Sequence, residues 1–258
     1  MYHNVHTVSG FIKGCFRGYW IDDEYSRNGI QVDASPNVDA EVTRVAFAVD
    51  ACLETIEKAA EAGAQMLVVH HGISWGSGIA RIDGITAERV SALFRNGVTL
   101  FACHLPLDAH PEFGNNAVIA KRLGLKVTDW FYESHGLKLA ALCSLESPMR
   151  FDELAARAKE TISPRAVAYD NCGGTVNTIA ILSGSGDSAI SECPKVPFDC
   201  LITGEFLHKY FHDAAEMEVS VLSCGHYDTE TTGIQELMKT VESCCKLETV
   251  FIDAPTGL

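Results

Sequence analysis

Two adjacent histidines, His70 and His71, close the apolar run MLVVHH that begins at Met66. Two more histidines follow apolar runs, and each has a carboxylate four residues further on: Asp108 after His104 in CHLPLD, and Glu230 after His226 in GHYDTE. Imidazole and carboxylate together form a borderline-soft donor set, suited to zinc, iron, manganese or cobalt rather than calcium or magnesium. Successive strand side chains point to opposite faces, so His70 and His71 cannot readily bind one ion side by side. They can instead bracket two ions about 3.5–4 Å apart, one histidine to each. A carboxylate can bridge two cations and a neutral imidazole cannot, which gives Asp108 or Glu230 that role. If His226 opens a helix, Glu230 shares its face at i and i+4 and both reach one centre. Each such group costs desolvation free energy when buried alone, so a bound cation accounts for the whole set better than packing does.

These residues must be positioned by strand ends. VAFAVDA from Val45, MLVVHH from Met66 and VTLFACH from Val98 read as buried strands, as do LKLAALCSL from Leu137, TIAILSGSG from Thr178, CLITGE from Cys200 and VSVLSCGH from Val219. Most are continuously apolar, as strands covered on both faces require. Helical patterns separate them. Cys52 to Gly63 puts Leu53, Ile56 and Ala60 on one face and ends at a glycine, while Ile85 to Gly97 is expected to start from Thr86 as N-cap. Alternating strand and helix predicts an α/β fold with a largely parallel sheet. Ligands of such sheets collect at the carboxyl ends of the strands, where all six residues fall.

Laid over each other, the two halves match in order. His70-His71 falls opposite Gly204-Glu205, His104 opposite His226, and Asp108 opposite Glu230. The expectation is an internal duplication, with one α/β repeat over residues 1–130 and a second, interlocked with it, over 131–258, the link lying around Trp130 to His135. Lesser candidates are the glycine-rich turn SGSGDSAI (Ser183 to Ile190), whose backbone N–H groups can hold an anion, and Glu205 and His208 as supporting or substrate-contacting groups. Trp75 is a candidate pocket floor. Ser74, Ser144 and Ser183 lack the G-x-S-x-G elbow of a serine hydrolase.

Composition narrows the classes further. Over 258 residues, 47% hydrophobic and 21% charged describe an ordinary globular chain. A net charge of -14, from 34 acidic and 20 basic side chains, disfavours broad nucleic-acid binding. Small anions remain admissible ligands, because a divalent metal reverses the local field. No apolar stretch approaches the roughly 20 residues of a membrane span, and MYHNVHTVSGFIKG lacks the pattern of a signal peptide. The ten cysteines are irregularly spaced and mostly beside apolar runs, which predicts reduced thiols in a cytoplasmic setting.

VVHHGISWG, LFACHLPLDAHPEFGNNAVIAKRLGL and LITGEFLHKYFHDAAEMEVSVLSCGHYDTE resemble, in the same order, segments of the Nif-three-like dinuclear metal-centre family, also called GTP cyclohydrolase type 2-like; RNGIQV (Arg27 to Val32) resembles that family's N-terminal segment. The resemblance implies two intertwined α/β repeats with mixed, largely parallel sheets, and a ring-shaped homohexamer. It implies two divalent metal ions (zinc, iron or manganese) on His70, His71, Asp108, His226 and Glu230. In the family's arrangement His71 and Asp108 hold one ion, His70 and His226 the other, and Glu230 bridges. His104 then orients a ligand or a water and can shuttle protons, so Glu230 and His104 are the candidate catalytic residues. One departure stands out: where the family more often shows Gly-x-Gly-Arg, this chain has Lys138 after Gly136-Leu137, and the contact made by that arginine is lost. The expected function is a metal-dependent hydrolase of a nucleotide or other small phosphorylated substrate. The alternatives are a metal-binding or metal-delivery protein that acts through partners, and a purely structural interaction module.

Overall fold

The computed structural model describes residues 2–22 and 25–258. The chain divides into two compact units, one of residues 1–107 and 234–254, the other of residues 108–233 and 255–258. Each takes two stretches of chain, and each carries its own sheet.

The first unit contains helix α1 (Val5–Cys15), strands β1 (Gly29–Val32), β2 (Arg44–Asp50), β3 (Met66–His71) and β4 (Thr99–Ala102), and helices α2 (Leu53–Glu61) and α3 (Gly84–Asn96), closed by β11 (Glu248–Phe251). The sheet order is β1-β4-β3-β2-β11, parallel throughout except for β1 against β4. Ala46, Ala48, Leu67, Val69, Leu100 and Ala102 pack in one core cluster with Ile56 and Ala59 of α2 and Leu93 of α3. The alternate strand residues Val45, Phe47, Val68 and Phe101 are fully buried as well. Burial on both faces is the reason these strands read as unbroken apolar runs. Helix α3 departs from expectation at its start: the N-cap is Asp83, in extended backbone, and not Thr86, which lies within the first helical turns. Its end is as expected, with Gly97 in the left-handed conformation at φ 62°.

The second unit contains helix α5 (Asn115–Arg122), strands β5 (Lys126–Ser134) and β6 (Leu137–Arg150), helix α6 (Phe151–Thr161), then β7 (Val167–Tyr169), β8 (Thr175–Leu182), β9 (Cys200–Thr203), helix α7 (Phe211–Glu216) and β10 (Ser220–Ser223). Its sheet order is β5-β6-β8-β9-β10-β7; β8, β9 and β10 run parallel and the outer strands antiparallel. The fold class is thus the expected mixed α/β with largely parallel centres. Trp130 to Ser134 belong to β5, and His135-Gly136 make the turn into β6.

The two units repeat one plan. A parallel trio, β2-β3-β4 or β8-β9-β10, has an antiparallel strand beside its third member, β1 or β7. In each, the third strand runs into a helix: α4 (Leu105–Ala109) after β4, and α8 (His226–Cys245) after β10. The division between units falls inside these two helices, after Leu107 and after Gly233. No described helix is long and apolar enough to cross a membrane.

Candidate metal centre

In the first unit the carboxyl ends of β2, β3 and β4 bring Asp50, His70, His71 and His104 together. His70 is fully buried, and its Nδ1 donates to the Cys103 carbonyl at 3.1 Å. Asp50 is the register partner of His71 across β2 and β3, and its Oδ1 accepts from His71 Nδ1 at 2.8 Å. His104 is held by its backbone N–H, which donates to Asn28 Oδ1 at 2.8 Å. The rings of His70 and His71 stand 4.6 Å apart, with His104 at 4.9 and 5.3 Å from them. One nitrogen from each of the three lies within 4.8 Å of the others. His70 and His71 are successive residues of β3, and both imidazoles nevertheless reach one cluster.

In the second unit Asp108, His226 and Glu230 are the corresponding groups. Asp108 is buried in α4, and its Oδ1 accepts from Asn115 Nδ2 at 2.9 Å and from Ser183 Oγ at 3.3 Å. His226 opens α8 and Glu230 lies one turn on, so the helical spacing puts His226 Nε2 3.1 Å from Glu230 Oε2. The other ring nitrogen, Nδ1, is 2.5 Å from Glu205 Oε1. Burial works against the charged imidazole, but the Glu230 and Glu205 carboxylates outweigh it and raise its pKa to about 9. The start of α8 is tied down by Asp228, which pairs with Arg165 at 2.9 Å and accepts from Ser163.

These side chains fit a divalent cation. An Nδ1 facing a carbonyl or carboxylate is its donor, which leaves Nε2 with the lone pair a metal needs. His70 and His71 are held in this way; His226 has its Nδ1 on a carboxylate too, but its Nε2 faces Glu230 and carries a proton that a metal would displace. The glycine-rich turn makes room for the acid: a Cβ on Gly184 would sit 2.3 Å from Glu230 Oε1 and 3.2 Å from His226 Nε2. That turn therefore lies against the candidate ligands. Glu205 is the supporting group foreseen, whereas His208 lies exposed in a short 3-10 turn with its ring 6.1 Å from that of His212. Lys138 is an exposed residue of β6 opposite Glu133. Asp50 went unnoticed in the sequence, although an acid closing the apolar run VAFAVDA is the same signal that marks His71.

Fold and side chains together define an α/β protein with two largely parallel sheets and His, Asp and Glu groups able to hold metal ions. The chain belongs to the Duf34/NIF3 (NGG1p interacting factor 3) family, whose model matches residues 4–257. Among curated relatives, proteins named "GTP cyclohydrolase 1 type 2 homolog" from Pyrococcus abyssi and Archaeoglobus fulgidus are 42% and 40% identical, covering 90% and 91% of this chain and 91% and 92% of theirs. Among solved structures, TTHA1606 from Thermus thermophilus superposes with a TM-score of 0.86 at 32% identity, over 99% of this chain and 100% of its own. The protein ybgI, described as of unknown function, gives a TM-score of 0.90 at 29% identity over 99% of this chain and 100% of its own.

Proposed function

We propose that this chain is a metal-dependent hydrolase of a nucleotide or another small phosphorylated substrate. In this reading His70, His71, Asp108, His226 and Glu230 would be the ligands of two divalent cations (zinc, iron or manganese). The observation that carries it is that Nδ1 of His70, His71 and His226 each engages a carbonyl or carboxylate oxygen, the arrangement in which Nε2 would face a metal. The names of the curated relatives support a nucleotide as substrate.

Such cations lower the pKa of a coordinated water toward neutrality and polarise a phosphoryl or ring-carbon electrophile. Five ligands for two ions leave open positions, which suits turnover better than a structural role. The chain's own groups do the rest: Asp50 and Glu205 fix imidazole orientation, and His104 can accept and return a proton beside the centre. The test is turnover of a nucleotide and phosphoester panel by metal-loaded wild type beside Glu230→Ala. Hydrolysis lost in the folded variant supports the reading. Full turnover in Glu230→Ala would contradict this centre, and no turnover with ready transfer of metal to an acceptor would replace the reading with that of a metal-delivery protein.

A further inference from the structure

The histidine cluster of the first unit has an aromatic border that the metal reading does not use. Trp75 meets His104 edge-on, with ring centroids 5.0 Å apart and planes at 87°, and lies 6.0 Å from the His71 ring. Tyr25 stands 5.8 Å from Trp75 at 67° and 6.1 Å from His104. Trp75 is only partly buried, and Tyr25 keeps 50% of its surface exposed. Large rings left in water beside metal-binding imidazoles are not completing a core.

The loops carrying them are braced against each other. Gly76 N–H donates to the Tyr25 carbonyl at 2.8 Å, and Arg27 Nε donates to the Gly76 carbonyl at 2.9 Å. Gln31 sits where the loops meet. Its Oε1 accepts from the Ile73 and Ser74 N–H groups at 2.8 and 3.0 Å, while its Nε2 donates to the Ser26 and Arg27 carbonyls at 3.2 and 3.1 Å. A Cβ on Gly72 would lie 2.2 Å from Gln31 Oε1, so glycine at that position is what lets the glutamine in. The Trp75 indole N–H is spent on the Gly72 carbonyl at 3.0 Å, which fixes the ring. One exposed and one half-buried ring are therefore held in place before any ligand arrives, and the entropic cost of ordering them on binding is small.

We propose that Tyr25 and Trp75 form a stacking subsite for the heteroaromatic base of the substrate, placed so that the rest of the nucleotide reaches the metal-binding histidines. The inference rests on the nucleotide reading above and names the part of the protein that would recognise the base. Stacking on an aromatic side chain tolerates any base because every base presents a π face. Its loss weakens binding by about fivefold to a hundredfold.

The experiment is calorimetric titration of the metal-loaded full chain with GMP and with ribose 5-phosphate, which share the phosphate and differ by the base. Wild type, Tyr25→Ala, Tyr25→Phe and Trp75→Ala are compared, with metal content measured on each sample. The expected result is GMP bound about tenfold or more tightly than ribose 5-phosphate by wild type and Tyr25→Phe. That preference disappears in Tyr25→Ala, with metal content unchanged. Equal affinities for the two probes, no binding of either by metal-loaded wild type, or a preference retained in both alanine variants would overturn the subsite. Failure of wild type to hold metal would overturn the centre itself, a separate outcome read from the same samples.

Discussion

Asp50 does for His71 what the Cys103 carbonyl does for His70: it keeps the proton on Nδ1 and the lone pair on Nε2, while Glu205 engages Nδ1 of His226. Loss of such a partner typically costs about 10–100-fold in metal affinity. Asp50→Ala is expected to lose that much in a chelator-competition titration, and Asp50→Asn, which keeps an acceptor oxygen, markedly less. Equal affinities in wild type and Asp50→Ala would remove Asp50 from this role. The elevated pKa of His226, about 9 against an ordinary 6.5, also has a sign that can be worked through. In the metal-free chain the charged imidazole between Glu205 and Glu230 contributes stability that is complete below pH 6.5 and is lost as pH rises through 9. A cation that needs Nε2 must displace that proton, so its affinity should climb by about tenfold per pH unit toward pH 9. A metal affinity flat between pH 7 and 9, beyond what the metal's own hydrolysis accounts for, would contradict this. At this scale the sequence was informative. Adjacent histidines and two H-x-x-x-[DE] spacings mark residues that the fold brings to strand ends, whereas Asp50 gains its meaning only from the β2–β3 register that sets it opposite His71.

Among elements, glycines separate packing from propensity. Gly10 lies inside α1 with nothing within 4 Å of an added Cβ, so Gly10→Ala should raise stability by about 0.5–1 kcal/mol. Gly233 in α8 offers no such room: a Cβ there would lie 2.8 Å from the Asn115 backbone N and 2.7 Å from its Oδ1. Gly233→Ala should therefore destabilise by about 1–3 kcal/mol despite the better helix former. Gly184→Ala should lose more than stability. Its φ of 60° disfavours a side chain, and the Cβ would press on the Glu230 carboxylate, so metal content should fall with the melting temperature. Thermal melts of the three variants, with metal assayed on the last, read these outcomes. The strands buried on both faces announced themselves as apolar runs. Strand β5 did not, because most of KVTDWFYES is exposed or half-exposed, and β7 did not because three residues, two of them exposed, carry no periodicity. The start of α3 was misplaced for a similar reason: Asp83 occupies the N-cap without a side-chain hydrogen bond, so capping chemistry gives no local signal.

Across the whole molecule, thiol chemistry follows burial. Desolvation pushes Cys143 and Cys224 up to about 12 and Cys200 well above the ordinary thiol range, while Cys244 is exposed. Mild alkylation of the native protein near pH 8 should label Cys244 first and spare Cys143, Cys200 and Cys224 until unfolding, as peptide mass spectrometry would show. Within each unit a histidine motif follows the third strand of a parallel trio, an order already present in the strands and histidines of the sequence. The antiparallel edge strands β1 and β7 were not legible, because their partners β4 and β10 lie far away in sequence. The dinuclear reading turns on how many ions the proposed ligands hold. Elemental mass spectrometry of the untagged protein, wild type beside Glu230→Ala, measures this directly. The account predicts about two divalent ions per chain in wild type, falling to one or none in the variant. A wild type that holds no metal, even after reconstitution with zinc, manganese or ferrous iron under reducing conditions, would contradict it.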